Sequence, residues 1–318
     1  MMVRSYEFLF RDLDFLIEMP VYNCGILLSM QYIVWLILLI VPQLWAHTIT
    51  HYTAHALTCC SDKAIIRTFD LDNKRKQLVV NTRTLQTSIE PLAKTPWGSC
   101  TTSRYTQLLA HSTTTPYPLH NDGIIHQDSE GIAITTDLCP SSKKGFEDKL
   151  YETLIAHYPH PVPITLFITG TWIKKHPKAL KQFVSWAHEG ALAITWGNHT
   201  YAHPYRRGKP DQSTFALTPG YDLRRDTLRL EKRLLQAGIT PSIFFRFPGL
   251  VSNKQTIKIV HDLGLIPIGT DAWIAKGQTP KKGSIILLHG NRNEPQGVKR
   301  FLEMVQKHAT GEIVPLKP

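Results

Sequence analysis

Neither G-x-G-x-x-G nor G-x-x-x-x-G-K-[ST] occurs anywhere in the 318 residues, so the phosphate loops of dinucleotide and nucleoside triphosphate sites are absent. Cysteine is scarce, five in all, and no C-x-x-C pair occurs, which removes cysteine-only zinc modules and thioredoxin-type redox pairs. Aromatic and basic residues are not interleaved as in a nucleic-acid platform, and nucleic acid is not expected as a partner. The net charge of +11 is spread through clusters such as DNKRKQ and RRGK and reads as a solvated basic face open to anionic polymers or surfaces.

What is present begins with a charge-free apolar run, GILLSMQYIVWLILLIVPQLWA, at residues 25–46. Its length suits a transmembrane anchor of about 20 residues or the apolar stretch of a signal peptide, with a buried core helix as the third option. The expectation is an exported protein, periplasmic, membrane-anchored or secreted, with membrane association through 25–46; residues 1–24, of mixed charge, receive no assignment. Export would let Cys59, Cys60, Cys100 and Cys139 oxidise. Bridging among the first three and free thiols both remain open.

Residues 47–130 are rich in Thr, Ser and His and read as an N-terminal extension with some strand content. From 131 to 318 the texture changes. Continuous apolar runs recur at 131–138, 163–170, 191–197, 242–248, 265–271, 284–290 and in EIVPL near the end, the sign of strands covered on both faces. Helical periods lie between them, as in Leu180, Phe183, Val184 and Ala187 after Pro177. The alternation predicts an α/β fold, a distorted (β/α) barrel of about seven parallel strands, with an open doubly wound sheet as runner-up.

Polar residues stand at the expected strand ends: Asp137, the pair His199 and His203, Arg246, Asp271 and His289. In a barrel such ends converge on one face. The i,i+4 spacing of the two histidines, if helical, points both imidazoles at one metal ion. Two imidazoles and an oxygen ligand would let a divalent ion polarise a carbonyl, while a carboxylate and a further histidine handle protons. Each residue also has a structural reading, such as Asp137 as a cap or Arg246 in a local salt bridge. Asn198-His199-Thr200 matches a glycosylation triplet but lies within this loop, and TFDLD at 68–72 lies before the barrel.

TTDLCP at 135–140, FITGTWIKKHP at 167–177, GNHTYAHP at 197–204, FFRFPG at 244–249, GTDAW at 269–273 and IILLHGN at 285–291 follow one another in an order and spacing that resembles the polysaccharide deacetylase family, with its NodB homology domain, also called carbohydrate esterase family 4. The first motif is similar to the branch with Asp, an apolar residue and Cys. The resemblance implies hydrolysis of N-acetyl groups on a sugar polymer or oligosaccharide, with a divalent ion such as zinc held by His199 and His203. It further implies Asp137 as the base that activates water, Arg246 as its partner, His289 as the acid and Asp271 as the residue that orients His289. Trp273 is a candidate wall of the acetyl pocket, or plain packing.

One position departs from that family. The second aspartate of its first motif is Leu138 here, which cannot coordinate. Asp137 as third ligand, water in the vacant place, and loss of the metal site remain open. Cys139 would share a face with Asp137 if the strand ran on, but Pro140 marks its end and argues against a thiolate ligand. Two other readings stay beside the deacetylase: a catalytically silent, membrane-associated glycan-binding protein, and a hydrolase of a non-sugar C–N bond.

Overall fold

Hairpin chemistry opens the described part of the chain. In the computed structural model, which describes residues 47–93, 97–110 and 119–318, strands β1 (Ile49–Cys60), β2 (Lys63–Leu71), β3 (Lys74–Asn81) and β4 (Thr87–Pro91) form an antiparallel meander. Asp72 and Asn73 join β2 to β3 with φ of 49° and 63°, the two positive values that a tight hairpin turn demands. A disulfide from Cys59 to Cys100 closes the far end, leaving Cys60 and Cys139 as free thiols among the described residues. TFDLD lies on β2 and its turn, where Asp70 and Asp72 pair with His51 and His47.

Helix α1 (Arg104–Leu109) starts from a Ser103 capping box, and β5 (Leu119–His120) follows. The parallel sheet then contains β6 (Ala133–Leu138), β7 (Val162–Ile168), β8 (Leu192–Asn198), β9 (Phe244–Phe245), β11 (Ile266–Pro267), β12 (Ala272–Trp273) and β13 (Ile285–His289), while β10 (Val251–Ser252) pairs with β5. Helices α2 (Asp148–His157), α3 (Gly170–Lys175), α4 (Pro177–His188), α5 (Leu223–Gln236), α6 (Lys254–Asp262) and α7 (Pro295–Gln306) alternate with these strands. Pro177 starts α4 as its first residue, since its missing N–H costs nothing there.

The strand order is β11-β9-β8-β7-β6-β13-β12, every neighbouring pair parallel. Laid flat, seven strands would separate the outer two by about 29 Å. The chain passes from Pro267 on one edge to Ala272 on the other in five steps, a reach of at most about 18 Å. The sheet is therefore curled into a distorted barrel, as the alternation predicted, and is not an open sheet.

The seventh strand is not where it was expected. EIVPL contributes a single bridge, Ile313 to Ile132, and Pro315 has no N–H to extend it. The run 265–271 instead holds only β11, and a turn through Gly269 and Thr270 leads to the seventh strand, β12, immediately after it.

The meander packs on the barrel through a buried core shared by Ile66, Phe69 and Leu78 with Val260, Leu263 and Leu265. Within it lies a charge. Arg67, fully buried, donates Nε and Nη2 to the two carboxylate oxygens of Glu231 at 2.7 and 2.8 Å, and Nη1 to the carbonyls of Ile66 and Leu263. Tyr52 donates its hydroxyl to the same carboxylate at 2.7 Å. His47–Pro318 forms one compact unit.

Membrane association is corrected here: among the described residues no helix is long and apolar enough to cross a membrane. The expected anchor or signal segment, 25–46, lies outside the described residues, as does the unassigned 1–24.

Breaking a buried pair strands one charge, so Glu231→Gln should lower unfolding free energy by about 3–5 kcal/mol in denaturant titrations, whereas the double variant Arg67→Met, Glu231→Leu should recover most of that loss. Equal stability of the single and double variants would show that the pair is not what joins meander to barrel.

Candidate active site

The C-terminal ends of β6, β8, β9 and β13 open into a cleft of about 620 Å³ whose lining includes Asp137, Cys139, His199, His203, Trp273 and His289. Five of the six expected strand-end residues are drawn together; Asp271 is not.

His199 and His203 sit on a loop, not on a helical turn. Thr200 and His203 take φ of 65° and 47°, and the turns are held by Asn198 Oδ1 accepting from Thr200 N and by Thr200 Oγ1 accepting from His203 N. Asp226, on α5, accepts from both Tyr201 N and Ala202 N at 2.8 Å. Gly170 is required beneath: a Cβ there would stand 2.0 Å from the Tyr201 ring. The outcome is the convergence that a helix would have given, with ring centroids 4.8 Å apart. Asn198 is buried and donates to Thr227 O, which leaves no room for a glycan.

Asp137 lies inside the barrel mouth, 3% exposed, with Oδ1 accepting from Arg246 Nη1 at 2.8 Å. Arg246 is itself fixed by Thr135 Oγ1 and the carbonyls of Ile268 and Gly269, with its guanidinium over the Phe167 ring. Burial pushes the carboxyl up, but Arg246 first and then His199 and His289 hold it below the ordinary value, so Asp137 is an ionised carboxylate.

Leu138 points away into the core with Leu150 and Tyr151. Cys139 lies just beyond β6 and, despite Pro140, lines the same cleft as Asp137. Its Sγ lies 3.5 Å from His199 Nε2, and the donor atoms of Cys139, His199 and His203 all lie within 4.8 Å of one another. The thiol thus lies within ligand reach of both imidazoles, where the sequence argued against one. Burial raises the thiol, but His203 and His199 outweigh it and hold it well below the usual range.

Does this set fit a divalent ion? His199 gives Nδ1–H to the Arg246 carbonyl at 2.8 Å, which leaves Nε2 as its free donor atom. His203 Nε2 is buried with no hydrogen-bond partner. Across tetrahedral zinc, sulfur and imidazole nitrogen stand about 3.6 Å apart, close to the separation seen here. Two imidazoles and a thiolate fit zinc or a similarly soft ion, with Asp137 Oδ2 3.7 Å from His199 Nε2 as a nearby oxygen.

On the other wall His289 gives Nδ1–H to Glu294 Oε2 at 2.8 Å, and Trp273 Nε1 donates to the same oxygen at 2.9 Å. Burial opposes the His289 imidazolium, but Cys139, Glu294 and Asp137 together raise its pKa well above the ordinary histidine value. Glu294 holds the place expected of Asp271. Asp271 precedes β12 beside the opposite end of β13, where it accepts from Ile285 N and Ser284 Oγ and pairs with His126. The turn through Gly269 and Thr270 reverses which strand end that residue occupies. Sequence reasoning missed Glu294, whose one local signal is an acid immediately before the helix-starting Pro295. Trp273 does line the cleft, its ring 6.2 Å from that of His289.

Two outcomes follow from this geometry. Cobalt-loaded protein should show thiolate-to-metal charge-transfer absorption that Cys139→Ser abolishes while a weaker ion site persists; an unchanged spectrum would remove Cys139 from the ligands. Glu294→Gln withdraws a partner that favours the His289 proton, so the alkaline limb of the kcat–pH profile should move to lower pH while the acid limb stays in place. An unmoved alkaline limb would mean that Glu294 does not set the acid.

Solved structures with a similar course include a family 4 carbohydrate esterase from Bacillus anthracis, at 20% identity and a TM-score of 0.44 over 68% of this chain and 91% of that one. A chitin deacetylase from Colletotrichum lindemuthianum is 18% identical with a TM-score of 0.44, over 62% and 90% of the two chains. These low similarities leave substrate and activity to the site itself. The motifs and the site agree with the match along the sequence: residues 125–268 match the polysaccharide deacetylase family.

Proposed function

We propose that this protein hydrolyses N-acetyl groups on a sugar polymer or oligosaccharide, releasing acetate and a free amine. The fold and the His/Cys/Asp cluster are consistent with deacetylase chemistry. The observation that carries the reading is the pairing of opposite proton affinities across one cleft. Asp137 is kept ionised, His289 is kept protonated, and their facing atoms lie within 4.8 Å of each other and of Cys139 Sγ.

A divalent ion, proposed as zinc, would be held by Cys139, His199 and His203 and would supply Lewis acidity toward the amide oxygen. The remaining steps belong to the chain. Asp137, oriented by Arg246, accepts a proton from the attacking water. His289, fixed by Glu294, donates its Nε2 proton to the departing nitrogen so that an amine leaves. Trp273 is fixed against the same Glu294 oxygen and walls the space for the acetyl group. Asp271, bound to His126 and Ser284, has no part in these steps. We also propose export, which the Cys59–Cys100 disulfide supports.

Acetate release from a panel of N-acetylated glycans, measured with zinc- or cobalt-loaded full-length protein, tests the reading. Release should vanish in His199→Ala and fall about 10²- to 10⁴-fold in His289→Ala. Glycan binding without release would replace it by a silent binding protein, and release only from non-sugar amides by a different C–N hydrolase.

A further inference from the structure

Helix α5 has charged residues on both faces, sorted by sign. Its two acids, Asp226 and Glu231, are buried and committed inward, to the histidine loop and to Arg67. Its five bases, Arg224, Arg225, Arg229, Lys232 and Arg233, all line one cleft of about 630 Å³ beside β1. Among the described residues none of the five has an acidic side-chain partner. The one acid in the cleft, Asp222, caps the helix by accepting from Arg225 N.

This arrangement works against the helix. Arg225, Arg229 and Arg233 form an i, i+4, i+8 row of like charges, which is destabilising when no acid is interleaved. Arg224 and Arg225 also stand in the first turn, where the helix dipole favours acids. Arg233, in the last turn, is accommodated by that dipole; the first-turn pair is not. The row spans about 12 Å along the axis, long enough to meet more than one anionic group.

The cleft touches the loop that carries both histidines. Arg229 lies over the Tyr201 ring at 3.7 Å, and Tyr201 stands between His199 and His203 in the chain. We propose that the α5 row is a docking site for an acidic polysaccharide, with successive carboxylate-bearing sugars pairing with Arg225, Arg229 and Arg233. The deacetylase reading is presupposed only for the sugar nature of the polymer. Docking is read as binding, acetate release separately, so that either can fail without the other.

The probe is polygalacturonate, with neutral dextran and linear polyphosphate beside it, bound to the full-length protein. Arg225→Gln, Arg229→Gln, Arg233→Gln should weaken polygalacturonate binding at least ten-fold and flatten its salt dependence, while acetate release from a neutral N-acetylated oligosaccharide stays unchanged. A triple variant at exposed bases elsewhere, Lys254→Gln, Lys299→Gln, Lys307→Gln, removes equal charge and should leave binding within two-fold. Equal losses in the two triple variants, no loss in the α5 variant, or polyphosphate bound as tightly as polygalacturonate would each overturn the proposal. Matching thermal midpoints for both variants and the parent secure the comparison against unfolding.

Discussion

The ion pair between Asp137 and Arg246 is the constraint around which the barrel mouth is arranged. Neither group has water to solvate it, so each needs the other and a full set of hydrogen bonds. Arg246 obtains them from β6 through Thr135 and Asp137, and from the segment after β11 through the carbonyls of Ile268 and Gly269. One guanidinium thus ties β9 to elements on both sides of it. Its own carbonyl accepts from His199 Nδ1, so the pair that keeps the carboxylate ionised also fixes which nitrogen of His199 faces the cleft.

Around that pair the site is a balance of buried charge. Asp137 and the Cys139 thiolate are anions close together; Arg246 is a permanent cation. His199 takes up part of the difference: burial opposes its charged form, yet Asp137 and Cys139 raise its pKa above the ordinary value. A pocket that draws a proton onto a buried imidazole draws a metal cation by the same field, since the ion and the proton compete for the same Nε2. His289 is raised by the same anions, Cys139 foremost, with Glu294 added, and has a proton to give.

Much of this was legible in the sequence because strand ends are marked by pattern. Continuous apolar runs ending in Asp137, Arg246 and His289, with His199 just after another, place four site residues on one face by pattern alone. Three things were not legible. Alternation along β6 pointed Cys139 into the cleft, but Pro140 marked the end of the strand, and past a strand end no pattern says which way a side chain faces. Asp271 was misread because LIPIGTD reads as one strand ending in its acid, whereas the strand stops at Pro267 and the acid lies beyond a turn, at the start of the next strand. Glu294 lies on a loop, and loops carry no period from which an inward direction can be read. The spacing of His199 and His203 gave the right partners through the wrong local structure, since turns held by Asn198 and Thr200 can bring two rings together as a helix does.

Helix α5 shows how one element can serve structure and site at once. Glu231 satisfies Arg67 from the meander, and Asp226 satisfies two backbone N–H groups of the histidine loop. Both acids are consumed inside, which is why the outer face is left wholly basic. A shift of α5 along its axis would break the Arg67 pair and the Tyr201 and Ala202 hydrogen bonds together. The meander is therefore more than a cover on the barrel: by fixing Glu231 it fixes the helix that sets the loop between the two histidines. Residues as far from the cleft as Tyr52 and Arg67 thus take part in holding the geometry on which the Asp137, Cys139 and histidine cluster depends.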